Sequence, residues 1–306
     1  MAAFTLVLLP FSLTSYGAAQ YSSATFIAMV IIGFLLFPVF GAWEYFGART
    51  HFIRWELLKD RTVLGACFLS ALTFFSFYCW DLYLLNFCVV VFNLSIAMAG
   101  YVNQIFNVGS TFWSVLVGIV IRITRQFKYQ TLCFGMPLIF LGSGLMIHFR
   151  GQSEDSTIGY VVMCQIFIAF GGSTLAIGQD MAVMAAADRE SVPMMLSILS
   201  LSSSIGTAVG FAASASVFNN TFLKFLTEAL PESSKDLASE IYIKGYVEQI
   251  TYPVGSEIRT AINTAWSEYM RYACILSTCV LVLGFPAIGV WRNYRLDRKQ
   301  NKGVVL

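Results

Sequence analysis

TVLGACFLSALTFFSFYCW at residues 62–80 and LYLLNFCVVVFNLSIAMAGYVNQIFNVGSTFWSVLVGIVI at 82–121 are separated by a single charge, Asp81. A bilayer core of about 30 Å needs about 20 apolar helical residues, and these two stretches together hold enough for a pair of crossings. The pattern continues outward from them. No Asp, Glu, Lys or Arg occurs in residues 1–43, 129–149, 156–179, 191–223 or 272–291. Of 306 residues 57% are apolar and 12% charged, against roughly 25% charged in a usual soluble domain. A soluble enzyme is excluded, because so few polar residues cannot cover its surface. The net charge of +2 is scattered along the chain, which excludes a nucleic-acid binder that neutralises phosphates with a basic patch.

Turn signals and charges therefore describe an all-α polytopic membrane protein of about eight transmembrane helices. The expected spans are 2–17, 24–43, 63–85, 97–122, 130–149, 158–184, 194–217 and 270–291. Backbone groups in lipid must bond within their own segment, so helices are the default. Residues 1–19 share an apolar run and small residues with signal peptides. No Lys or Arg precedes that run and Pro10 interrupts it, so a retained span is the expectation. With the N-terminus inside, thirteen of the nineteen Lys and Arg fall on one side of the membrane, and the positive-inside rule makes that side the cytosol. The seven cysteines lie in apolar stretches without a CxxC pair and read as small core residues.

Three segments fall outside the bilayer on this reading. Residues 44–62 mix aromatic and basic residues, as a cytoplasmic amphipathic linker would. The tail at 292–306 carries RNYRLDRK and serves as a topology anchor. The loop at 218–269, extracellular or lumenal, is far longer than ordinary connections, so it is functional or disordered. Leu223, Leu226 and Leu230 recur at helical spacing, Leu237, Ile241 and Tyr242 suggest a second short helix, and YPVG at 252–255 suggests a turn. A folded cap is the expectation.

Polar residues inside the spans are costly and face a cavity or a partner. Asp81 is surrounded at helical spacing by Phe74, Phe77, Tyr78, Leu84 and Leu85. It reads either as a substrate or proton site or as an acid near the end of its span, with Trp80 and Tyr83 as interfacial aromatics. Asn103, Asn107, Ser110 and Ser114 form one stripe, with Gln104 alongside; it faces a water-filled path or another helix. Gln165, Ser173, Gln179 and Asp180 mark the sixth span, and Gly206, Gly210 and Ser214 give the seventh a small-residue face for close helix approach. No HExxH, GxSxG or Walker A pattern is present, the two histidines are far apart, and no metal-ligand spacing occurs. The chain is expected to be no enzyme and to need no cofactor; a secondary transporter accounts for polar stripes within spans.

HFIRWELLKDRTVLGACFLSALTFFSFYCWD at 51–81, YVNQIFNVGSTFWSVLVGIVIR at 101–122, GLMIHFR at 144–150, GYVVMCQIFIAFGGSTLAI at 159–177, MAVMAA at 181–186 and YPVGSEIRTAIN at 252–263 resemble, in order, the fungal siderophore-iron transporters of the major facilitator superfamily. That family has six spans, two central spans and six more. The resemblance implies a partial major facilitator fold, with 1–43 as the central pair and the later spans as the C-terminal six. It further implies proton-coupled uptake of a ferric hydroxamate chelate, a ferric siderophore, across the plasma membrane or an endosomal or vesicular membrane. Tyr78, Trp80, Asp81, Tyr83, Asn103, Gln104, Asn107, Gln179 and Asp180 would bind that substrate, and Tyr246, Tyr252 and Arg259 would belong to the capping loop. Phe92-Asn93 stands where the family has an Asn-Gly turn, and Gln179-Asp180 where it has Glu-Gln. The family's N-terminal half is the partner the resemblance implies, so a truncated transporter is expected. A non-transporting membrane remnant or interaction partner, and a facilitator for glutathione or drugs, are the alternatives.

Overall fold

The computed structural model describes Leu6 and residues 24–46, 59–150, 157–188 and 190–294. The span expected at 2–17, most of the 44–62 linker and most of the 292–306 tail lie outside the described residues. Seven helical segments among the described residues are long and apolar enough to cross a membrane. They are α1 (Ala24–Phe46), α2 (Arg61–Asp81) continued by α3 (Leu84–Val91), α4 (Ile96–Thr124), α5 (Lys128–His148), α6 (Ile158–Ala186), α7 (Val192–Ala229), and α10 (Glu257–Leu281) continued by α11 (Gly284–Gly289). No strand occurs among the described residues.

Side chains at the ends set several of these boundaries. Asp60 caps α2 by accepting from the Thr62 backbone N–H at 2.7 Å, Ser95 caps α4 through Met98 at 3.3 Å, and Ser256 caps α10 through Arg259 at 3.2 Å. α4 stops at Arg125, which is left-handed at φ 53°. The Phe92-Asn93 turn is left-handed at Asn93, φ 50°, a conformation Asn tolerates better than other side chains. Within α5 a π-turn at Thr131–Gly135 precedes Pro137 and accommodates the missing proline N–H.

α2 and α6 are the central helices. α7 packs along α2, α4 and α5 along α6, and α10 closes the back against α2, α5 and α7. Close approach is set by glycine: a Cβ on Gly206 would lie 2.1 Å from the Ala71 carbonyl of α2, and one on Gly171 2.4 Å from the Ile139 amide of α5. Polar cross-links add direction, Ser76 to Ser277 at 2.7 Å between α2 and α10 and Ser214 to Tyr269 at 2.8 Å between α7 and α10. α4 presents large apolar side chains outward, among them Phe112, Ile119 and Ile123, as a lipid-facing surface requires.

Two expected boundaries are corrected. α7 does not stop at 217 but runs on to Ala229, and the last span begins at Glu257, not 270. Polar residues mark where the chain leaves the lipid, yet the helix carries on past them to Ala229, and the Asn220 amide and Thr221 hydroxyl donate back to the Ser216 and Val217 carbonyls of the same helix. The connection is therefore 230–256. It contains a 3-10 turn (Glu232–Leu237), α8 (Ala238–Lys244) and α9 (Tyr246–Gln249), and it is folded. The third span also changes: its helix breaks after Asp81 and α3 continues to Val91. Asp81 thus lies ten residues inside the end of a 31-residue span.

Candidate functional site

α2, α4 and α6 diverge to leave a cleft of about 340 Å³. Its apolar wall is aromatic. Phe77 of α2 meets Phe106 of α4 with ring centroids 4.0 Å apart, and Tyr78 lies 4.6 Å from Phe211 of α7. The polar part of the lining is the edge of α4 that follows Phe106, where Asn107, Ser110, Thr111 and Ser114 line the cleft. Here helical spacing alone produces the site: residues three and four apart share a face. The hydroxyl protons are spent inward, on the Asn107 carbonyl from Ser110 and Thr111 (3.1 and 2.8 Å) and on the Thr111 carbonyl from Ser114 (2.7 Å). Their oxygens keep lone pairs for a ligand. Ser173 of α6 donates to the Ser110 carbonyl at 2.9 Å and ties the two helices together. Among the described residues, none that lines the cleft is charged.

The expected site residues separate into five groups. Tyr78 and Asn107 line the cleft, and Gln104 accepts from the Asn107 amide at 2.8 Å. Gln179 stands behind the lining, buried, and donates to Thr73 at 3.3 Å; Asp180 is the next residue and half-buried. Asn103 turns inward, with its Oδ1 buried and unbonded. Asp81 follows Tyr78 by one turn, and among the described residues its carboxylate has no hydrogen bond or ion pair. Trp80 and Tyr83 lie elsewhere. Trp80 is 1% exposed in the core, and Tyr83 stacks on Phe218 at 4.4 Å and meets Tyr269 edge-on at 5.5 Å. Thr73, Phe106 and Thr111 are lining residues that sequence reasoning missed. Thr111 was accessible to it, lying one turn from Asn107 on the same stripe.

The loop residues form a separate structure. Tyr246 and Tyr252 pack half-buried against the core. Arg259 is 1% exposed and donates to the Gln249 carbonyl (2.7 Å), the Tyr252 carbonyl (3.4 Å) and the Val90 carbonyl (2.6 Å). Gln249 in turn accepts from the Trp266 indole at 2.8 Å. Arg259 is thus the fastening between α10, the cap and the end of α3. Among the described residues no cluster of His, Cys, Asp and Glu is arranged to hold a metal ion.

No protein-family model matches the sequence. Comparison with curated proteins is more informative. The chain is 59% identical over its whole length to siderochrome iron transporter 2 of Aspergillus fumigatus, covering 50% of that protein. It is 45% identical over 98% of its length to MFS siderochrome iron transporter 1 of Ajellomyces capsulatus (51% covered), and 32% identical over 98% to siderophore iron transporter 1 of Schizosaccharomyces pombe (50% covered). Among solved structures, a bacterial homologue of the human lysosomal transporter Spinster, inward-facing and unoccupied, superposes with a TM-score of 0.54. That match covers 95% of this chain and 67% of the other, at 14% identity. Its likeness is one of fold. The chain spans about half the length of the curated relatives it matches. With its run of membrane-length helices and this match along essentially its entire sequence, the chain is a multi-pass membrane protein similar throughout to about half the length of the siderochrome iron transporters of the major facilitator superfamily.

Proposed function

We propose that the chain supplies one wall of the substrate path of a proton-coupled importer of ferric siderophores, with the 230–256 segment capping the extracellular or lumenal end. The observation that carries this reading is the polar edge of α4. Amides and hydroxyls on an exposed helix edge are unfavourable against lipid, so this edge faces water, cargo or a second set of helices. Facilitator paths form between two halves, which makes an N-terminal six-span segment the partner of choice. The cleft itself selects among cargoes. A ferric tris-hydroxamate is neutral, since three singly charged hydroxamates balance Fe(III), whereas a tris-catecholate carries three negative charges. An uncharged, aromatic lining accepts the first and leaves the second with an uncompensated desolvation cost. Asp81, one turn beyond Tyr78, is the proposed proton acceptor.

Uptake of radio-iron as a neutral tris-hydroxamate, in a fungus lacking its own siderophore transporters and expressing the chain with the N-terminal half of a relative, tests this reading. Uptake should depend on the chain, and Tyr78→Ala should raise KM roughly tenfold or more, the scale on which truncating an aromatic anchor at a buried centre weakens binding. Asp81→Asn should remove the response to external pH. Absence of uptake in the paired arrangement, or equal uptake of the trianionic chelate, would refute the proposal.

A further inference from the structure

Away from the cleft, α2 and α11 lie side by side with matched apolar stripes, Leu64 and Phe68 on one and Leu283, Pro286 and Val290 on or beside the other. Between them runs a groove of about 370 Å³. At Gly65 the helices nearly touch, since a Cβ there would meet the Ala287 carbonyl at 2.7 Å and the Trp291 indole at 2.8 Å. The groove lies between the larger side chains flanking that contact, and Leu64, Phe68, Leu283 and Val290 each stay about half exposed. It extends over eight residues of α2, Arg61 to Phe68, about 10 Å at 1.5 Å per step, or roughly two thirds of the hydrocarbon depth of one leaflet.

One end of the groove is cationic. Arg61 completes the lining there, and among the described residues its guanidinium has no hydrogen-bond or ion-pair partner. Nearby, Lys128 donates to the Gly289 and Trp291 carbonyls at the end of α11, and Arg292 pairs with Asp60 at 3.5 Å. Among the described residues three cations therefore gather with one carboxylate, on the side that the Lys and Arg distribution assigns to the cytosol. An apolar trough ending in unneutralised positive charge is complementary to an amphiphile with an anionic head. A peptide laid in the trough would find no side-chain partner for its backbone groups except Arg61.

We propose that this groove binds one anionic phospholipid, with its phosphate on Arg61 and an acyl chain between α2 and α11. Basic pockets between helices at a cytoplasmic membrane face are suited to such head groups.

Native mass spectrometry of the full chain in non-ionic detergent, with dioleoylphosphatidylserine or dioleoylphosphatidylcholine added, tests the assignment. One phosphatidylserine should be retained per chain, about tenfold more tightly than phosphatidylcholine: both offer a phosphate to Arg61, but only phosphatidylserine keeps a net negative charge, while the choline cation of the other cancels its phosphate and faces the basic cluster. Arg61→Gln should remove the preference and Arg61→Lys should keep it. Leu64→Trp, which fills the groove and leaves every charge in place, should weaken retention of both lipids. Arg122→Gln, elsewhere on the same side, is the control and should change nothing. Equal retention of the two lipids by the unmodified chain would overturn the proposal. So would unaltered phosphatidylserine binding by both Arg61→Gln and Leu64→Trp, displacement of the lipid by millimolar glycerophosphate, or cross-links placing residues 47–58 in the groove of the lipid-free chain.

Discussion

Gly206→Ala is expected to destabilise the protein by about 3 kcal/mol or more, the upper end of the range for overpacking a tight interior. The added carbon would sit 2.1 Å from the Ala71 carbonyl oxygen and 2.7 Å from two further Ala71 backbone atoms. Backbone has no rotamer to change, so α7 must move away from α2. One turn on, Gly210 faces the Phe75 carbonyl at 2.8 Å and the Tyr78 Cβ at 3.3 Å, so the separation also disturbs the aromatic wall of the cleft. Gly118→Ala provides the contrast. Nothing lies within 4 Å of that position, and alanine is favoured over glycine in a helix by up to about 1 kcal/mol. Thermal unfolding in detergent should show a fall on the order of 10 °C for Gly206→Ala and no fall for Gly118→Ala. Equal melting temperatures in the two variants would show that α2 and α7 are not in van der Waals contact here.

Arg259→Met should release the cap. The guanidinium serves three carbonyls, and two of them close helices: Val90 in the last turn of α3 and Gln249 at the end of α9. The C-terminal carbonyls of a helix lack intrahelical partners and carry partial negative charge. They stand in for the carboxylate that this buried cation lacks, since no ion pair reaches Arg259 among the described residues. Methionine keeps much of the volume and orphans all three acceptors, at a cost of roughly 3–5 kcal/mol. Lysine keeps the charge but not the two-pronged geometry, so its loss should be intermediate. Limited proteolysis should cut Arg259→Met within 230–256 at a protease concentration that leaves the parent intact. Resistance equal to the parent would mean the cap is held by its apolar contacts alone.

The charge-free windows made the helical architecture readable because lipid tolerates so few alternatives, and with turn signals added the spans 97–122, 130–149 and 158–184 lie within two residues of the ends of α4, α5 and α6. The extents of α7 and α10 were not readable that way. Asn219, Asn220 and Lys224 signal departure from the apolar layer, but an α-helix continues as long as its backbone bonds do. The break between α2 and α3 lacked any sign, since Leu82-Tyr83 contains neither Gly nor Pro. At the cleft, the polar stripe on α4 was legible from its spacing. The disposition of α2 was not. That helix is apolar on nearly every side, so which face meets α4 and which meets the core depends on its neighbours. Trp80 consequently belongs to the core and Phe77 to the cleft, three residues apart. The role of Arg259 depends on Val90, 169 residues away, a pairing that no local pattern encodes.

The central claim is that one edge of α4 is wet while the adjacent face is in lipid. Single cysteines placed at Asn107, Thr111 and Ser114, and separately at Phe112 and Ile119, can be assayed in native membranes with a charged methanethiosulfonate reagent after the seven resident cysteines are replaced. The reagent reacts with thiolate in water and is excluded from hydrocarbon. The first three positions should react and be protected by a neutral ferric hydroxamate, and the last two should stay unmodified. Uniform protection of all five from the reagent, without any cargo present, would contradict the claim, because the polar edge would then be sealed against another helix and the cleft would not be a path.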